Sequence, residues 1–400
     1  MSQSDIVIAG GGLAGSSAAA MLARAGYDVV LIDPHQSYPP DFRCEKLDRS
    51  QLEILKKTGL AEAVLRAATP DRSLWVARFG RLVENRDGAQ CGILYDKLVN
   101  TIRAEVPRAA FIAAKVASIA TSADRQIVTL STGEEISTRL VVLANGLSIS
   151  LRHQLEIQRK VISENHSVSI GFDITPAGRA AFDFSALTYY SERPAQRMAY
   201  VVFFPIGTTM RVNLFVYRDM RDPWLKQFRD APKQTMLAAM PKLEKITGPF
   251  EVDGFVNIRP VDLYITEGHR QPGIVCIGDA FATSCPAAGT GAGKVLMDVE
   301  RLCNVHVPHW LATPGMGLEK IAAFYDDPVK CAYDADCAKK AYALRSFSLD
   351  TGLLWVVQRW AKFILHWLMG TLRQGHRRFV AKVPADRAVI RQILSDVAPR

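Results

Sequence analysis

A glycine-rich turn ten residues into the chain constrains the fold most. The segment "DIVIAGGGLAG" places a short run of apolar and β-branched residues before Gly10, Gly12 and Gly15, which satisfy the pattern G-x-G-x-x-G. A segment of helical composition, "SSAAAMLARAG", follows, and a second apolar strand, "DVVLID", ends at Asp33. The order strand, glycine turn, helix, strand and acid predicts a βαβ unit that binds a dinucleotide.

Each residue type in this turn has a physical role. Gly10 allows the tight turn, Gly12 lets the backbone approach a pyrophosphate, and Gly15 lets the helix pack close to the strand. The first N–H groups of the helix then face the phosphates, and Asp33 accepts hydrogen bonds from a ribose diol. This turn alone does not separate NAD from FAD. The predicted cofactor contacts of the turn are Gly10, Gly12, Leu13, Ala14 and Gly15.

A second glycine loop near the other end of the chain decides the cofactor. The apolar strand "GIVCIGDA" is followed by "FATSCPAAGTGAG" and a helical segment. Asp279, at the strand end, can hydrogen-bond a polyol such as ribitol. Backbone N–H groups around Gly289 and Gly291, with the helix dipole, can stabilise negative charge on a reduced ring. NAD has no ribityl chain, whereas FAD does, so the two loops together predict FAD.

The second loop resembles a motif of the FAD-dependent monooxygenases of the para-hydroxybenzoate hydroxylase fold, which include the ubiquinone-biosynthesis hydroxylases. That family carries G-D-A-A-H-x-x-x-P-x-x-G-x-G-x-N. The chain departs from it at Phe281, Ala282 and Gly293. The residues in register with the motif are Gly278, Asp279, Ala280, Pro286, Gly289 and Gly291. The resemblance implies that all of them except Ala280 contact the cofactor.

Further positions extend the resemblance over most of residues 1–305. The family motif D-G-x-x-S-x-x-R, which contacts the pyrophosphate, is matched by Asn145, Gly146 and Arg152, with Ile149 at the serine position. Arg43 matches an arginine that the family places near the FAD and the nicotinamide cofactor; a solvated loop arginine is the alternative. Val116 stands where the family contacts adenine through its backbone, and Tyr95 stands near the arginine of R-x-x-L-x-x-x-L.

The predicted fold class is α/β, with three parts. A discontinuous Rossmann-like FAD-binding domain comprises residues 1–70, 91–155 and 270–305. An antiparallel-sheet substrate domain comprises residues 71–90 and 156–269, and residues 306–400 form a helical C-terminal region. The strand aromatics of the substrate domain either line a pocket or belong to the core; they are Phe203, Phe204, Phe215 and Tyr217.

The segment "LLWVVQRWAKFILHWLMGTL" at residues 353–372 has an unusual surface. As a helix it gathers Gln358, Arg359, Lys362 and His366 on one face, and Trp, Leu, Ile, Val and Phe cover the rest. Its charges argue against a membrane-spanning helix. It either packs on the body of the protein or lies in a membrane interface, where the basic residues that follow would assist. Those residues are Arg373, His376, Arg377, Arg378 and Lys382.

Composition excludes other classes of protein. The net charge is +9, but the basic residues are scattered without a nucleic-acid motif, so no nucleic-acid partner is expected. Seven irregularly spaced cysteines argue against a disulfide framework. "CNVHVPHW", with Cys303, His306 and His309, is predicted to be an ordinary loop, and no metal is expected. The chain enters a strand within about five residues, which predicts a cytoplasmic protein without a signal peptide.

The resemblance implies an FAD-dependent monooxygenase that hydroxylates an aromatic or otherwise hydrophobic small molecule with NAD(P)H and O2. Because no second nucleotide-binding domain is present, NADH or NADPH would bind transiently in the shared groove. One alternative is a prenyl or olefin reductase of the geranylgeranyl reductase type, and another is a non-catalytic FAD-containing partner subunit. No catalytic residue is predicted, because the oxygen chemistry belongs to the cofactor.

Overall fold

Parallel strands at the start of the chain form the centre of the first sheet. Strand β1 (Ser2–Ala9) pairs in parallel with β2 (Val29–Asp33) and with β11 (Glu135–Leu143), and helix α1 (Leu13–Arg24) connects the first two. The middle of β1 is inaccessible to solvent, which explains its continuous apolar run. The sheet order is β8-β2-β1-β11-β10-β9, with β17 beside β11. The remaining strands are β8 (Phe111–Ala113), β9 (Val116–Ala120), β10 (Gln126–Leu130) and β17 (Ile274–Cys276).

A second, mainly antiparallel sheet forms the other half of the molecule. Its order is β16-β12-β15-β14-β13-β5-β6, and only the β13–β5 pair is parallel. Alternation divides its aromatic residues, because Phe203 packs on one face while Phe204, Phe215 and Tyr217 pack on the other. The strands are β5 (Ser73–Arg78), β6 (Arg81–Asp87), β12 (Gln158–Pro176), β13 (Ala186–Tyr190), β14 (Met198–Ile206), β15 (Thr209–Val216) and β16 (Phe250–Glu267).

A small sheet and a set of helices join these two halves. The small sheet has the order β3-β7-β4 and contains β3 (Cys44–Leu47), β4 (Thr69–Pro70) and β7 (Cys91–Leu94). The helices after α1 are α2 (Arg49–Lys57), α3 (Ala61–Ala67), α4 (Tyr95–Arg103), α5 (Ser150–Gln154), α6 (Pro223–Asp230), α7 (Pro232–Ala239), α8 (Glu244–Thr247), α9 (Gly291–Arg301), α10 (Val307–Leu311), α11 (Leu318–Tyr325), α12 (Pro328–Leu349) and α13 (Leu353–Lys382).

The structure is a computed structural model that describes residues 2–382. Within this range, the side chains of His366 and of residues 369–382 lie outside the description. The same holds for residues 383–400 of the predicted C-terminal region and for the side chains of the basic residues that follow residue 372. The two large sheets draw their strands from the stretches predicted for the FAD-binding and substrate domains, whose exact boundaries stay a prediction.

The segment 303–309 is helical, so the prediction of a loop there is wrong. A π-helical turn at Leu302–His306 continues directly into α10. Pro308 follows the π-helical turn, whose wider bonding is seen in the hydrogen bond from the Val307 N–H to the Leu302 carbonyl oxygen. Val307 and Trp310 are buried in the core, and His306 bonds to the Asp327 carboxylate at 3.0 Å.

Helix α13 packs on the body with part of its polar face. Arg359 is buried and donates hydrogen bonds to the carbonyl oxygens of Phe347 and Asp350. Trp360 stacks on Phe79 with ring centroids 5.6 Å apart, yet half of its surface stays exposed. Across residues 2–382, no helix combines the length and apolar character needed to cross a bilayer. Large apolar residues that remain exposed on the helix are Leu353, Leu354, Val357, Ile364 and Leu365.

Candidate cofactor site and the sheet face beside it

The first glycine turn has the close backbone contacts that its motif requires. Gly10 has φ +108°, and a Cβ there would lie 2.6 Å from the carbonyl oxygen of Ala144. A Cβ at Gly15 would overlap the carbonyl oxygen of Gly10. Helix α1 therefore starts directly over the end of β1, and its free N–H groups point out of the carboxyl edge of the sheet.

Asp33 is held at the end of β2 by backbone donors. Its carboxylate accepts hydrogen bonds from the Gly11 N–H at 2.7 Å and the His35 N–H at 2.9 Å. Arg103, in the last turn of α4, lies 3.7 Å from the same carboxylate and donates to the Gly11 carbonyl oxygen. These contacts fix the orientation of Asp33 while leaving lone pairs for a ribose diol. The role of Arg103 could not be predicted from the sequence, because arginines are common near helix C-termini.

Tyr95 and Arg43 add polar groups at the start of α1. The Tyr95 hydroxyl accepts a hydrogen bond from the Leu13 N–H at 3.4 Å. Burial raises the pKa of Tyr95, so the hydroxyl keeps its proton and can donate to a phosphate oxygen. The Arg43 guanidinium lies 4.0 Å from the Tyr95 ring centroid and bonds to Asp41 and Tyr38. Tyr95, which stands in place of the family arginine, thus contacts Arg43, so an arginine still lies near the N-terminus of α1.

The second loop is anchored by a buried ionic cluster. The Gly278 N–H donates to the Asp298 carboxylate at 2.9 Å, and Asp298 is inaccessible to solvent. Lys330 lies 3.1 Å and Lys294 lies 3.4 Å from that carboxylate. Although burial alone would raise it, the two lysines hold the pKa of Asp298 below its usual value. This anchor could not be predicted from the sequence, because Gly278 and Lys330 lie 20 or more residues from Asp298.

Asp279 presents a carboxylate that the protein leaves free. Among the described residues, no donor bonds to its side chain, while its carbonyl oxygen accepts from the Tyr264 hydroxyl. Burial raises the pKa of Asp279, against the opposing pull of Lys294. Gly289 has φ +67° and ends the turn that begins at Pro286, and Gly291 starts α9. The free carboxylate and the helix N-terminus are suited to the ribityl chain and the ring edge of a flavin.

The third motif joins the two loops. Arg152 is buried and donates to the carbonyl oxygens of Ala280 at 2.7 Å and Ser148 at 2.8 Å. Its role in this structure is to tie the segment after β11 to the second loop. The Oδ1 atom of Asn145 is buried without a partner among the described residues. Val116 begins β9 and is half-buried, and its contact with adenine stays a prediction.

One face of the second sheet meets the second loop. Phe204 and Phe215 pack in one cluster with Cys285 and Ala287 of the loop. The Tyr200 hydroxyl donates to the Ala287 carbonyl oxygen, and its ring lies 5.2 Å from that of Phe215. An apolar, aromatic surface therefore adjoins the Gly289–Gly291 turn. Phe204 and Phe215 are 1% and 7% exposed, so in this structure they belong to the core next to the turn.

The residues of the two loops fit FAD. The unpartnered Asn145 Oδ1 is a buried acceptor that needs a donor, and the half-buried Asp279 carboxylate has no donor among the described residues. Gly12 leaves the backbone accessible, because a Cβ there would approach only the Tyr95 hydroxyl, at 3.6 Å. The family model described as FAD binding domain matches residues 3–305.

The chain belongs to this FAD-binding family. FAD is therefore its cofactor, and the resemblance to flavoprotein hydroxylases of the para-hydroxybenzoate hydroxylase fold is confirmed. The structure superimposes on p-nitrophenol 4-monooxygenase from Pseudomonas putida with a TM-score of 0.68 and 16% identity, over 99% of this chain and 98% of that one. This likeness confirms the predicted fold class.

Two curated relatives carry different activities. A 2,4-dichlorophenol 6-monooxygenase from Cupriavidus pinatubonensis is 25% identical over 74% of this chain and 54% of its own length. A menaquinone reductase from Mycobacterium tuberculosis is 29% identical over 38% of this chain and 40% of its own. The chain thus spans about half the length of the curated relatives it matches or less.

Proposed function

We propose that the chain is an FAD-dependent monooxygenase that hydroxylates an aromatic or otherwise hydrophobic small molecule with NAD(P)H and O2. The observation that carries the proposal is the aromatic sheet face around Tyr200, Phe204 and Phe215, which meets the Gly289–Gly291 turn. Bound FAD supplies hydride acceptance and oxygen activation. The phenol monooxygenase relative supports this reaction class.

The residues of this chain would bind, orient and shield. Asp33 and Asp279 accept hydrogen bonds from the sugar hydroxyls at the two ends of the cofactor, and the N-terminus of α1 faces the pyrophosphate. The positive end of α9 stabilises negative charge on the ring. The apolar side chains of the sheet face position the substrate beside the ring and keep water out.

An olefin or prenyl reductase is the second candidate function. Two observations favour it, namely the similarity to a menaquinone reductase and the apolar surface of α13. The FAD-loaded protein, mixed with NADH or NADPH and a panel of phenols and prenylated quinones, tests both. The monooxygenase predicts substrate-stimulated nicotinamide oxidation and a product heavier by one oxygen atom. A product heavier by two hydrogen atoms would favour the reductase, and FAD without turnover would favour a partner subunit.

A variant and a matched control connect this activity to the second loop. Asp279→Ala should weaken FAD binding by about tenfold or more, since it removes a half-buried acceptor of charge-assisted hydrogen bonds. Asp326→Ala removes an exposed carboxylate that pairs with Arg270 and should leave FAD affinity unchanged. Titration of apoprotein with FAD, followed by flavin fluorescence, measures both.

We also propose that α13 places the protein on an anionic membrane surface. Its exposed side carries Leu354, Val357, Ile364 and Leu365, while Arg359 faces the body. Sedimentation with phosphatidylglycerol vesicles should deplete the protein from solution, and Leu354→Ser/Leu365→Ser should reduce that depletion by about tenfold. The matched control Leu65→Ser/Leu318→Ser alters two other exposed leucines and should behave as the wild type. Equal sedimentation of both double variants would exclude α13 as the contact.

A further inference from the structure

Helix α12 contacts the second glycine loop from outside the part of the chain that the family model matches. That match ends at residue 305, whereas α12 comprises Pro328–Leu349 and packs against α9 and against the turn Pro286–Ala288. Its Lys330 belongs to the ionic cluster that anchors Gly278 through Asp298. The helix therefore lies close enough to the cofactor site to supply further contacts to it.

Two positions where the chain departs from the family motif face this helix. The Phe281 ring centroid lies 4.4 Å from the Lys330 Nζ atom. A Cβ at Gly293 would overlap the hydroxyl oxygen of Tyr333. Lys330 and Tyr333 are three residues apart and therefore share one face of α12. This face contacts a large side chain where the motif has alanine, and it occupies the space where the motif has asparagine.

Gly293 is a glycine for a steric reason and not for a conformational one. It lies in the first turn of α9, is buried, and does not adopt a positive φ. Glycine in a helix lowers stability relative to alanine, so an ordinary helical position favours a residue with a side chain. The Tyr333 hydroxyl fills the space in which that side chain would lie, and this explains why the asparagine of the motif is absent.

Residues from two helices contact this first turn of α9. Gln51, which is buried in α2, donates a hydrogen bond from its Nε2 atom to the Gly289 carbonyl oxygen at 2.9 Å. The Gln51 Cγ atom would lie 3.3 Å from a Cβ at Gly293. From α12, Tyr333 packs against the main hydrophobic core and reaches Gly293 with its hydroxyl. A displacement of the turn is therefore opposed by Gln51 and by Tyr333.

The position of this turn matters most for a negatively charged ring. The N–H groups at the start of α9 have no partners within the helix and form its positive end. An oxidised flavin ring is neutral, whereas a reduced ring carries negative charge. A shift of the helix start therefore weakens the binding of the reduced cofactor more than that of the oxidised cofactor, and the reduction potential falls.

We propose that Tyr333 is a positioning residue, which holds the start of α9 against the flavin ring in the place of the asparagine of the family motif. The inference rests on the placement of the ring at the Gly289–Gly291 turn under the proposed function, and it applies to a monooxygenase and to a reductase alike. It assigns α12 to the cofactor site, although this helix follows the stretch that the family model matches.

The variant Tyr333→Ala tests the inference through the reduction potential of the bound FAD. Loss of the side chain should weaken binding of the reduced cofactor about tenfold more than binding of the oxidised cofactor, which lowers the potential of this two-electron couple by about 30 mV. Titration of the FAD-loaded protein with a reductant and a reference dye measures the potential. A merely structural role would change stability or the affinity for oxidised FAD, but not this difference.

A swap of side chains between the two helices is the second test. Gly293→Asn alone should weaken FAD binding about tenfold or more, because the new side chain overlaps Tyr333 in a packed site. Gly293→Asn/Tyr333→Ala restores the motif residue together with the space for it. The swap should return the FAD affinity to within about threefold of the wild type and should restore the potential. This pair of variants decides the question even if Tyr333→Ala alone does not fold.

Tyr342→Ala is the matched control, since it removes a tyrosine from the same helix whose ring packs against His166 of the second sheet, with 5.1 Å between the centroids. It should keep the wild-type potential. A wild-type potential in Tyr333→Ala, or an equal fall in Tyr342→Ala, would overturn the inference. A swap variant that binds FAD no better than Gly293→Asn would overturn it as well.

Failure of the inference differs from failure of the proposed function. The potential and the FAD titrations require neither substrate nor turnover, whereas the product analysis with phenols and quinones requires both. If an oxygenated product forms while Tyr333→Ala keeps the wild-type potential, the proposed function stands and the role of Tyr333 is lost. If the potential falls in Tyr333→Ala while no oxygenated product forms, the role of Tyr333 stands and the monooxygenase proposal is lost.

Discussion

Glu45 is a partly buried acid between the two parts of the cofactor site. It lies on β3, and the charges that act on it belong to Arg43 and Asp279. Burial raises its pKa to about 7, against the opposing pull of Arg43. An unfolded glutamate titrates near 4.5, so between these values the folded protein binds more protons than the unfolded chain. Stability therefore falls as the pH rises through this window.

The substitution Glu45→Gln should flatten this pH dependence. Between about pH 5 and about pH 8, wild-type apoprotein should lose about 1–2 kcal/mol more of its free energy of unfolding than the variant does. Urea unfolding at several pH values measures the difference. Glu53→Gln, at an exposed position on α2, is the control and should follow the wild type. A wild-type stability that rises across the window relative to Glu45→Gln would contradict this assignment.

Residues with a motif role could be predicted from the sequence, whereas residues that act through distant partners could not. Gly10, Gly15 and Asp33 follow from the order of elements around one turn. Asp298 bonds to Gly278 and pairs with Lys330, but nothing in its own neighbourhood indicates these partners. Their meeting depends on the packing of α12 against α9, which is a tertiary event.

The packing of α1 on β1 gives a prediction at the scale of elements. Gly15→Ala should weaken FAD binding by about a hundredfold or prevent folding, because its methyl group would overlap the Gly10 carbonyl oxygen. Gly26→Ala is the matched control, since Gly26 has φ +89° but open space around a Cβ. It should cost about 1 kcal/mol of stability and leave FAD affinity unchanged. Flavin titration and thermal unfolding separate the two effects, and tight FAD binding by Gly15→Ala would refute the packing argument.

Secondary-structure elements could be predicted from the sequence where the hydrophobic period and the turn residues indicated the same boundaries. The βαβ unit follows from apolar runs bounded by a glycine turn. The helix at 303–309 could not be predicted in this way, because proline ordinarily interrupts a helix and Pro308 lies within the segment. The pattern of α13 predicted a helix but not its orientation. An apolar helix face ordinarily packs inward, whereas here Arg359 bonds to the carbonyl oxygens of Phe347 and Asp350.

At the scale of the whole molecule, the site is assembled from both ends of the chain. The first loop, the segment after β11 and the second loop converge because β1, β11 and β17 are adjacent parallel strands of one sheet. Brought together at the carboxyl ends of these strands, the loops form the crevice where open α/β sheets bind ligands. The sheet face opposite these loops is formed by strands whose order in the sheet no local sequence pattern indicates. Which side chains of this face meet the second loop could therefore be learned only from the structure.

We propose that this assembly inserts oxygen into a substrate. The most direct measurement is the reaction of the FAD-loaded protein with NADPH under ¹⁸O₂, in the presence of hydroxyphenylalkanoates and prenylated quinones, with mass analysis of the products. We expect a product that carries a single ¹⁸O atom and that is not formed under anaerobic conditions. A product saturated by two hydrogen atoms, formed equally well without oxygen, would contradict it and assign the chain to the reductases.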